Sequence, residues 1–577
     1  MSDVALTIDG KSVCASPGMT ILEAARTVGI KIPTLCWHAD LGQPSVCRVC
    51  VVEIEGQNTL QPACSYPVSQ GMVVRTNTPK VRKARRMAVE LLLAHHPDDC
   101  LSCQRNLKCE LQQLAADFGI REVRVERVLR ELPKDESTPS IVRDADKCIN
   151  CRRCIEACED VQGVAVLSTA NRGFESVVLP AFGDDLDSVV CVFCGQCTLA
   201  CPTGAIIERD DTRRVWDVLA DPKMHVVVQT APAIRASLGE ELGLAAGTVV
   251  TGKLVAALRR LGFDRVFDTD FTADLTIMEE GHELLERIEK GNAPLPLLTS
   301  CSPGWINFIE RFYPDLLPHV STCKSPQQMF GAVAKTYYAE HAEIDPGRIF
   351  VVSIMPCTAK KYECERPEMR SSGFQDVDVV LTTRELGRMI REVGIDFDSL
   401  PEEDYDDPLG ISTGAAAIFG ATGGVMEAAL RTVYAVVTGT ELPEDAMEFH
   451  DVRGLEGIKE VAVEIDGVTV KAAVAHGLSN ARKIMDKISA GDAPWHFVEI
   501  MCCPGGCVGG GGQPIGTVMS SRADRGEALY EVDRDMPLRA SHTNPAVLRL
   551  YEEFLGRPLS ERSHELLHTH YTAKKSR

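Results

Sequence analysis

Apolar and polar positions follow different periods along this chain. In residues 1–80, short runs such as VALTIDG, VVEIEG and MVVRTN alternate with a period of two, the mark of half-buried strands. Between them ILEAARTVGI repeats its apolar residues at helical spacing. This predicts a small mixed module, a β-grasp-like fold of strands and one helix. KVRKARRMAVELLLAH, which follows, predicts a helix with a basic start and an apolar second half. Residues 110–140 read as a charged, partly helical connector without cysteine. From about 210 onward the pattern changes to continuous apolar runs, HVVVQTAPA, RVFDTDF and RIFVVSIMPC, each near a helix-like segment. Such runs predict strands buried on both faces. The expected architecture is multidomain α/β with four segments: 1–80, 81–125, 138–209 and a large α/β domain over 210–577.

Composition changes this picture at one residue type. With 577 residues, the chain can bury several cores. Its 45% apolar and 25% charged content is ordinary, but its 23 cysteines are not. Disulfide frameworks belong mostly to small secreted domains with dispersed cysteines. Here Cys-x2-Cys pairs recur in a large chain whose start, MSDVALTIDG, has no basic-then-apolar leader. Metal ligation in a cytoplasmic protein is the expectation. No apolar run approaches the roughly 18 residues of a membrane span. The net charge of −21 argues against a nucleic-acid surface.

The cysteines fall into blocks. Cys36, Cys47, Cys50 and Cys64 contain one tight pair; four thiolates so spaced suit a 2Fe–2S centre, with structural zinc as the competing reading. His96, Cys100, Cys103 and Cys109 follow the basic helix, with His95 as rival ligand. Spacing alone leaves a 4Fe–4S cluster and zinc equally open there. Next comes an internal repeat. Cys148, Cys151, Cys154 and Cys158 recur as Cys191, Cys194, Cys197 and Cys201 with identical spacing. This is the two-cluster bacterial ferredoxin pattern, in which the fourth cysteine of each run serves the other cluster. One 4Fe–4S cluster is then expected on Cys148, Cys151, Cys154 and Cys201, the other on Cys191, Cys194, Cys197 and Cys158. Pro202 follows the second run as that pattern asks, whereas Glu159 takes its place in the first.

The C-terminal domain carries TSCSPGW (299–305), MPCTAKK (355–361) and MCCPGGCVGGGG (501–512). Distant cysteines that share a cluster imply a fold-assembled site, and Cys357, Cys503 and Cys507 are its evident anchors. IMEEGHELLER sets Glu280, Glu283 and Arg287 at helical spacing on one face; a buried carboxylate chain could relay protons, while the plainer reading is a solvated acidic face. Similarly, Met355 and Met501 could be ordinary core and Lys360 a solvated charge. The glycine clusters GATGGV and GGCVGGGG lack the residues of a P-loop, and no dinucleotide fingerprint follows a strand. Cys14, Cys323 and Cys364 belong to no block and are expected to be small buried apolar residues.

From its first cysteine block to its terminal HELLHTHY, the chain resembles the iron-only (FeFe) hydrogenases, which interconvert dihydrogen with two protons and two electrons. The resemblance implies a His-ligated 4Fe–4S cluster on His96. In all it implies one 2Fe–2S cluster, three accessory 4Fe–4S clusters and an H-cluster, a 4Fe–4S cube joined to a two-iron unit with carbonyl, cyanide and azadithiolate. Cys507 would bridge the two halves and Lys360 would hold a cyanide. Met355 and Met501 would pack beside the two irons. Ala231, Pro232, Ser325 and Gln327 would line the pocket. Glu280, Glu283 and Ser321, with Arg287 beyond, would form the proton path, ending at a cysteine. The implied partners are maturation proteins and either ferredoxin or flavin- and NAD(P)-binding subunits.

One departure bears on the site. The family's first motif has adjacent cysteines, the first a proton donor and the second a cluster ligand; here the pair is Cys301–Ser302. Family position makes Cys301 the proton donor, while the weakness of serine oxygen as an iron ligand favours it as the fourth anchor. Cys502 is an additional thiol beside Cys503. A non-catalytic iron–sulfur assembly homologue is disfavoured by the intact MPCTAKK, and a hydrogen sensor by the absence of a further signalling segment.

Overall fold

The computed structural model describes residues 3–291, 293–443 and 446–575. Near the N-terminus, Val4–Ile8 pairs antiparallel with Lys11–Ala15 and parallel with Val73–Arg75 in a mixed five-stranded sheet. Alternation buries Leu6 and Ile8. Helix Ile21–Thr27 covers this face and starts at a reciprocal capping box between Thr20 and Glu23, satisfying two otherwise orphaned N–H groups. The strand Lys11–Ala15 alternates in the same way, with Val13 and Ala15 buried and Ser12 and Cys14 exposed. It carries Cys14 outward: that thiol is exposed and lies 3.7 Å from the Asp3 carboxylate. The expectation of a buried Cys14 is therefore corrected. It sits on the solvent side of an edge strand.

Helix Pro79–Ala94 begins with Thr78 as N-cap and Pro79 in its first turn, where a missing N–H costs nothing. Its buried Arg85 donates to the Val51 carbonyl at 2.8 and 3.1 Å and ties the helix to the first sheet. The connector is helical only over Glu110–Asp117. The ferredoxin-like segment holds a small sheet of Lys134–Asp135, Ile141–Asp144 and Ile206–Glu208, together with the hairpin Leu167–Ala170/Val177–Pro180.

The remaining residues build two four-stranded sheets. In the first, Arg265–Asp268, His225–Thr230, Ile349–Met355 and Val379–Thr382 run parallel. In the second, Leu297–Leu298, Phe497–Met501 and Val468–His476 run parallel, and Ile458–Ile465 is antiparallel at the edge. Helices bury both faces of the first sheet, which explains the continuous apolar runs. The long helix Thr269–Lys290 joins the two sheets, with most of its residues buried. The C-terminal segment straps this core: the Thr569 N–H donates to the Thr322 carbonyl at 2.7 Å, and that of Lys574 to the Glu310 carbonyl at 2.8 Å. No helix among the described residues is long and apolar enough to cross a membrane.

Candidate metal centres and active site

Cys36, Cys47, Cys50 and Cys64 converge beneath the first sheet. Cys36 accepts hydrogen bonds from the Cys47 and Cys64 thiols, which hold its pKa well below the ordinary thiol range. That bond to Cys36, with burial, pushes Cys47 up; Cys64 is likewise raised by its bonds to Cys36 and Cys50. Four sulfurs so close share protons in the absence of a cation, as a ligand set does.

His96 is 8% exposed. Its Nδ1 meets the Pro97 carbonyl at 3.0 Å, whereas its buried Nε2 has no partner. That arrangement fixes the tautomer and aims a free lone pair, the usual posture of a histidine ligand. His95 likewise turns its Nδ1 to a carbonyl, that of Val128 at 3.1 Å, but it is only half-buried, so His96 is the one whose unpartnered nitrogen is shut away from water. Cys100 opens the short turn Cys100–Ser102, and Cys109 precedes helix Glu110–Asp117, its pKa raised chiefly by burial. Cys103 packs against Gly204, where an added Cβ would come within 2.7 Å of its sulfur. This block thus abuts the end of the second ferredoxin run.

The repeat folds into two cavities. One is lined by Cys148, Cys151, Cys154 and Cys201. The other is lined by Cys158, Cys191, Cys194 and Cys197. The fourth cysteine of each run lines the cavity of the other run's first three. Burial, then the Cys201 charge, raises the Cys151 pKa; burial and the Cys194 charge raise that of Cys158 to about 11. Free thiols this deep stay protonated, so any cation here replaces protons.

Four strand ends frame the catalytic pocket. Ala231 and Pro232 follow His225–Thr230, Cys301 follows Leu297–Leu298, Met355 and Cys357 end Ile349–Met355, and Met501 through Cys503 end Phe497–Met501. Ligands favour the carboxyl ends of parallel strands because loops there can diverge around them. Burial, then the charges of Cys503 and Cys507, raise the Cys357 pKa. Burial and then Cys503 raise Cys507 to about 12. Met355 and Met501 are each 3% exposed. Backbone closeness is obligatory in the glycine turn: at Gly511 a Cβ would run into the Cys194 carbonyl oxygen. The Thr358 hydroxyl donates to the Phe193 carbonyl at 2.8 Å. Both contacts press the pocket onto the Cys191 group.

Lys360 is buried, which removes the solvated-charge alternative. Its Nζ donates to the Cys301 carbonyl at 3.1 Å and to Glu363 at 2.8 Å. The same Glu363 oxygen accepts from Ser325 at 2.9 Å and Gln327 at 3.1 Å. Glu363 was not singled out from the sequence; its signal is a carboxylate three residues after Lys360 on one helix face. Gln327 keeps a buried Oε1 without a partner.

The acidic helix face is buried as well. Glu280 is 2% and Glu283 is 9% exposed. Arg287 donates to Glu283 at 2.7 Å, and Ser321 donates to the other Glu283 oxygen at 2.8 Å. Burial, and then the Glu283 charge, push Glu280 up to about 8. Its buried Oε1 has no hydrogen-bond partner among the described residues. Burial and the Glu280 charge in turn raise Cys301. Arg287, Glu283 and Ser321 are thus joined by hydrogen bonds, with buried Glu280 on the same helix face and half-buried Cys301 following the strand Leu297–Leu298. Cys323 is buried as expected, yet its thiol faces Glu283 at 3.9 Å. Cys364 is buried and donates to the Lys361 carbonyl at 3.1 Å.

A pocket of distant sulfurs at strand ends, fed by a file of buried thiol clusters, defines an iron–sulfur redox enzyme. Known proteins match along its length. The C-terminal domain of the iron-only hydrogenase large subunit matches residues 224–511, and the iron hydrogenase small subunit matches 519–574. A 2Fe–2S cluster binding domain matches 2–79, the iron–sulfur binding region of NADH-ubiquinone oxidoreductase G matches 85–124, and a 4Fe–4S dicluster domain matches 147–205. The NADP-reducing hydrogenase subunit HndD of Solidesulfovibrio fructosivorans is 54% identical, covering 99% of each chain. Iron hydrogenase 1 of Clostridium pasteurianum is 40% identical over 98% of this chain and 99% of its own. A solved structure, apo FeFe-hydrogenase HydA1 from Chlamydomonas reinhardtii, is 46% identical with a TM-score of 0.57, covering 64% of this chain and 100% of that one. The chain belongs to the iron-only (FeFe) hydrogenase family. It is an oxidoreductase that interconverts dihydrogen with protons and electrons, using 2Fe–2S and 4Fe–4S clusters and the H-cluster.

Proposed function

We propose that this chain is the hydrogen-converting subunit of a cytoplasmic, NAD(P)-linked assembly, with partner subunits that carry flavin and the nucleotide. Support comes from its likeness to an NADP-reducing hydrogenase subunit and from the lack of a nucleotide fingerprint in its own sequence. Residues 1–80 would hold the 2Fe–2S cluster on Cys36, Cys47, Cys50 and Cys64. Residues 81–125 would hold a 4Fe–4S cluster on His96, Cys100, Cys103 and Cys109, and residues 138–209 the two crossed 4Fe–4S clusters. Residues 210–577 would hold the H-cluster on Cys357, Cys503, Cys507 and a fourth sulfur.

The observation that carries this reading is the close approach of successive thiol groups, beginning with Cys47 and Cys109, which pack in one apolar cluster. Cys103 touches Gly204 beside the Cys201 group, and Cys194 touches Gly511 in the catalytic glycine turn. When bound, the two-iron unit supplies the place where electrons meet hydrogen. The chain's own residues do the rest. Lys360 offers a charged donor to an anionic ligand. The methionines exclude water with soft, polarizable walls. Protons pass from Glu283 through the Ser321 hydroxyl to Glu280, and on to the Cys301 thiol.

Three measurements test the reading on the matured full chain. Infrared spectra should contain carbonyl and cyanide bands. Iron should total about twenty per chain for four accessory clusters plus the H-cluster; zinc near one equivalent would mean that the His96 or Cys36 block was misread. Hydrogen should reduce a one-electron dye but not NAD(P) with this polypeptide alone. Robust nucleotide reduction by the isolated chain would overturn the multi-subunit assignment.

A further inference from the structure

We propose that Cys502 is the fourth sulfur anchor of the catalytic cube, leaving Cys301 free as the proton-carrying thiol. The inference rests on the hydrogenase reading given above. A 4Fe–4S cube takes four protein ligands, and Cys357, Cys503 and Cys507 account for three. Two further thiols border the pocket, and they occupy different sides of it.

Cys301 stands on the acidic side. Its carbonyl is held by the Lys360 ammonium at 3.1 Å, and the charges nearest its thiol include Glu280, Cys507 and Lys360. A thiol at the end of a file of acids is placed to exchange protons.

Cys502 stands on the electron side. Cys502 packs in one buried cluster with Cys503 of the catalytic set and Cys194 of the accessory set, and its thiol faces the Gln162 side-chain oxygen at 4.0 Å. Its backbone N–H donates to the Ser302 hydroxyl oxygen at 3.2 Å. Room for its sulfur is kept by Gly304, where an added Cβ would lie 2.7 Å from Cys502 Sγ. Ser302 therefore offers a hard oxygen beside the cube, and a soft sulfur sits next to it from another part of the chain. Iron in such clusters prefers thiolate to a serine oxygen. The exchange of sulfur from position 302 to position 502 keeps four sulfurs around the cube and moves one anchor to the face that meets the accessory clusters.

The test compares Cys502→Ala, Cys301→Ala and the double variant Cys502→Ala/Ser302→Cys in the full chain, produced first without the two-iron unit. Iron and sulfide content and the electron paramagnetic resonance of the reduced cube are the readouts. Cys502→Ala is expected to lose about four irons per chain and the cube's signal, while the accessory signals persist. The double variant should regain both. Cys301→Ala should keep the iron and, after maturation, lose hydrogen evolution by about 10²-fold or more. Full iron in Cys502→Ala with an intact cube signal overturns the proposal and leaves the hydrogenase reading standing. Iron lost in Cys502→Ala but not restored by the double variant makes Cys502 a packing residue and also overturns it. A wild-type chain that never acquires the cube overturns the hydrogenase reading together with this one.

Discussion

In the ferredoxin-like segment, Cys148 and Cys151 come from one short loop and Cys154 from the helix Arg153–Glu156 that follows it, and only Cys201 arrives from elsewhere. In the catalytic pocket, Cys357 ends a strand of one sheet, while Cys503 and Cys507 follow a strand of the other. The first kind of site is written into local spacing and survives as long as one loop keeps its shape. The second exists only when two sheets stand in register, so its geometry depends on the whole domain. The same contrast separates the two uses of burial. Around the accessory groups, burial acts on thiols that metal would deprotonate. Around Glu280, it acts on a carboxyl that must keep a proton.

Loss of one sulfur tests the contrast most severely. Cys507→Ala should abolish hydrogen turnover and the infrared carbonyl and cyanide bands, because the pocket has no local substitute; persistence of those bands would show that the cluster is held without it. Next in size is Glu283→Gln, which keeps shape and hydrogen bonding but removes a titrating group. Hydrogen evolution should fall by about 10²-fold or more, with iron content normal, and unchanged turnover would mean that the buried acids are only structural. His96→Ala should act locally: iron falls by up to about four per chain, while dye-linked turnover at the catalytic site drops only a few-fold. Collapse of catalytic iron in that variant would erase the distinction between the two kinds of site.

The pH dependence is a finer probe. Glu280 is raised by burial to about 8, so it is neutral below that value and charged above it. Hydrogen evolution, which needs its proton, should decline as pH rises through about 8, and the step should vanish from the residual activity of Glu280→Gln. For stability the sign is the same. A carboxyl raised above its unfolded value favours the fold at low pH, and that contribution is lost as pH rises through the folded value. The smallest effect is expected at Cys14→Ser. An exposed edge-strand position should leave the melting temperature unmoved.

The cysteine blocks were legible in sequence because their chemistry depends on spacing, and the repeat pointed to the cavities that Cys158 and Cys201 line. The long strands of the catalytic domain were legible as apolar runs. What stayed hidden depends on tertiary placement. An acidic face such as that of Glu280 and Glu283 reads as solvated until another element covers it. Glu363 looked like any helix carboxylate until Ser325, Gln327 and Lys360 closed on one of its oxygens. Chemistry alone leaned towards Cys301 as the fourth anchor; its place beside Glu280 and Lys360 instead recommends it for protons. Cys14 was misread because a lone cysteine carries no periodicity, and its strand exposes every second residue.

The strap formed by the C-terminal segment has a consequence for how the enzyme tolerates dilution. The matching family describes this segment as a small subunit, yet here it continues the same chain and hydrogen-bonds the backbone at Thr322, next to Ser321 of the proton line. A tethered segment meets its site at an effective concentration on the order of millimolar, whatever the protein concentration. A separate chain would leave at nanomolar levels unless its affinity were high. Specific activity should therefore stay constant across a thousand-fold dilution, and a cut in the loop before the strap would convert this chain into a two-body enzyme whose rate depends on reassembly.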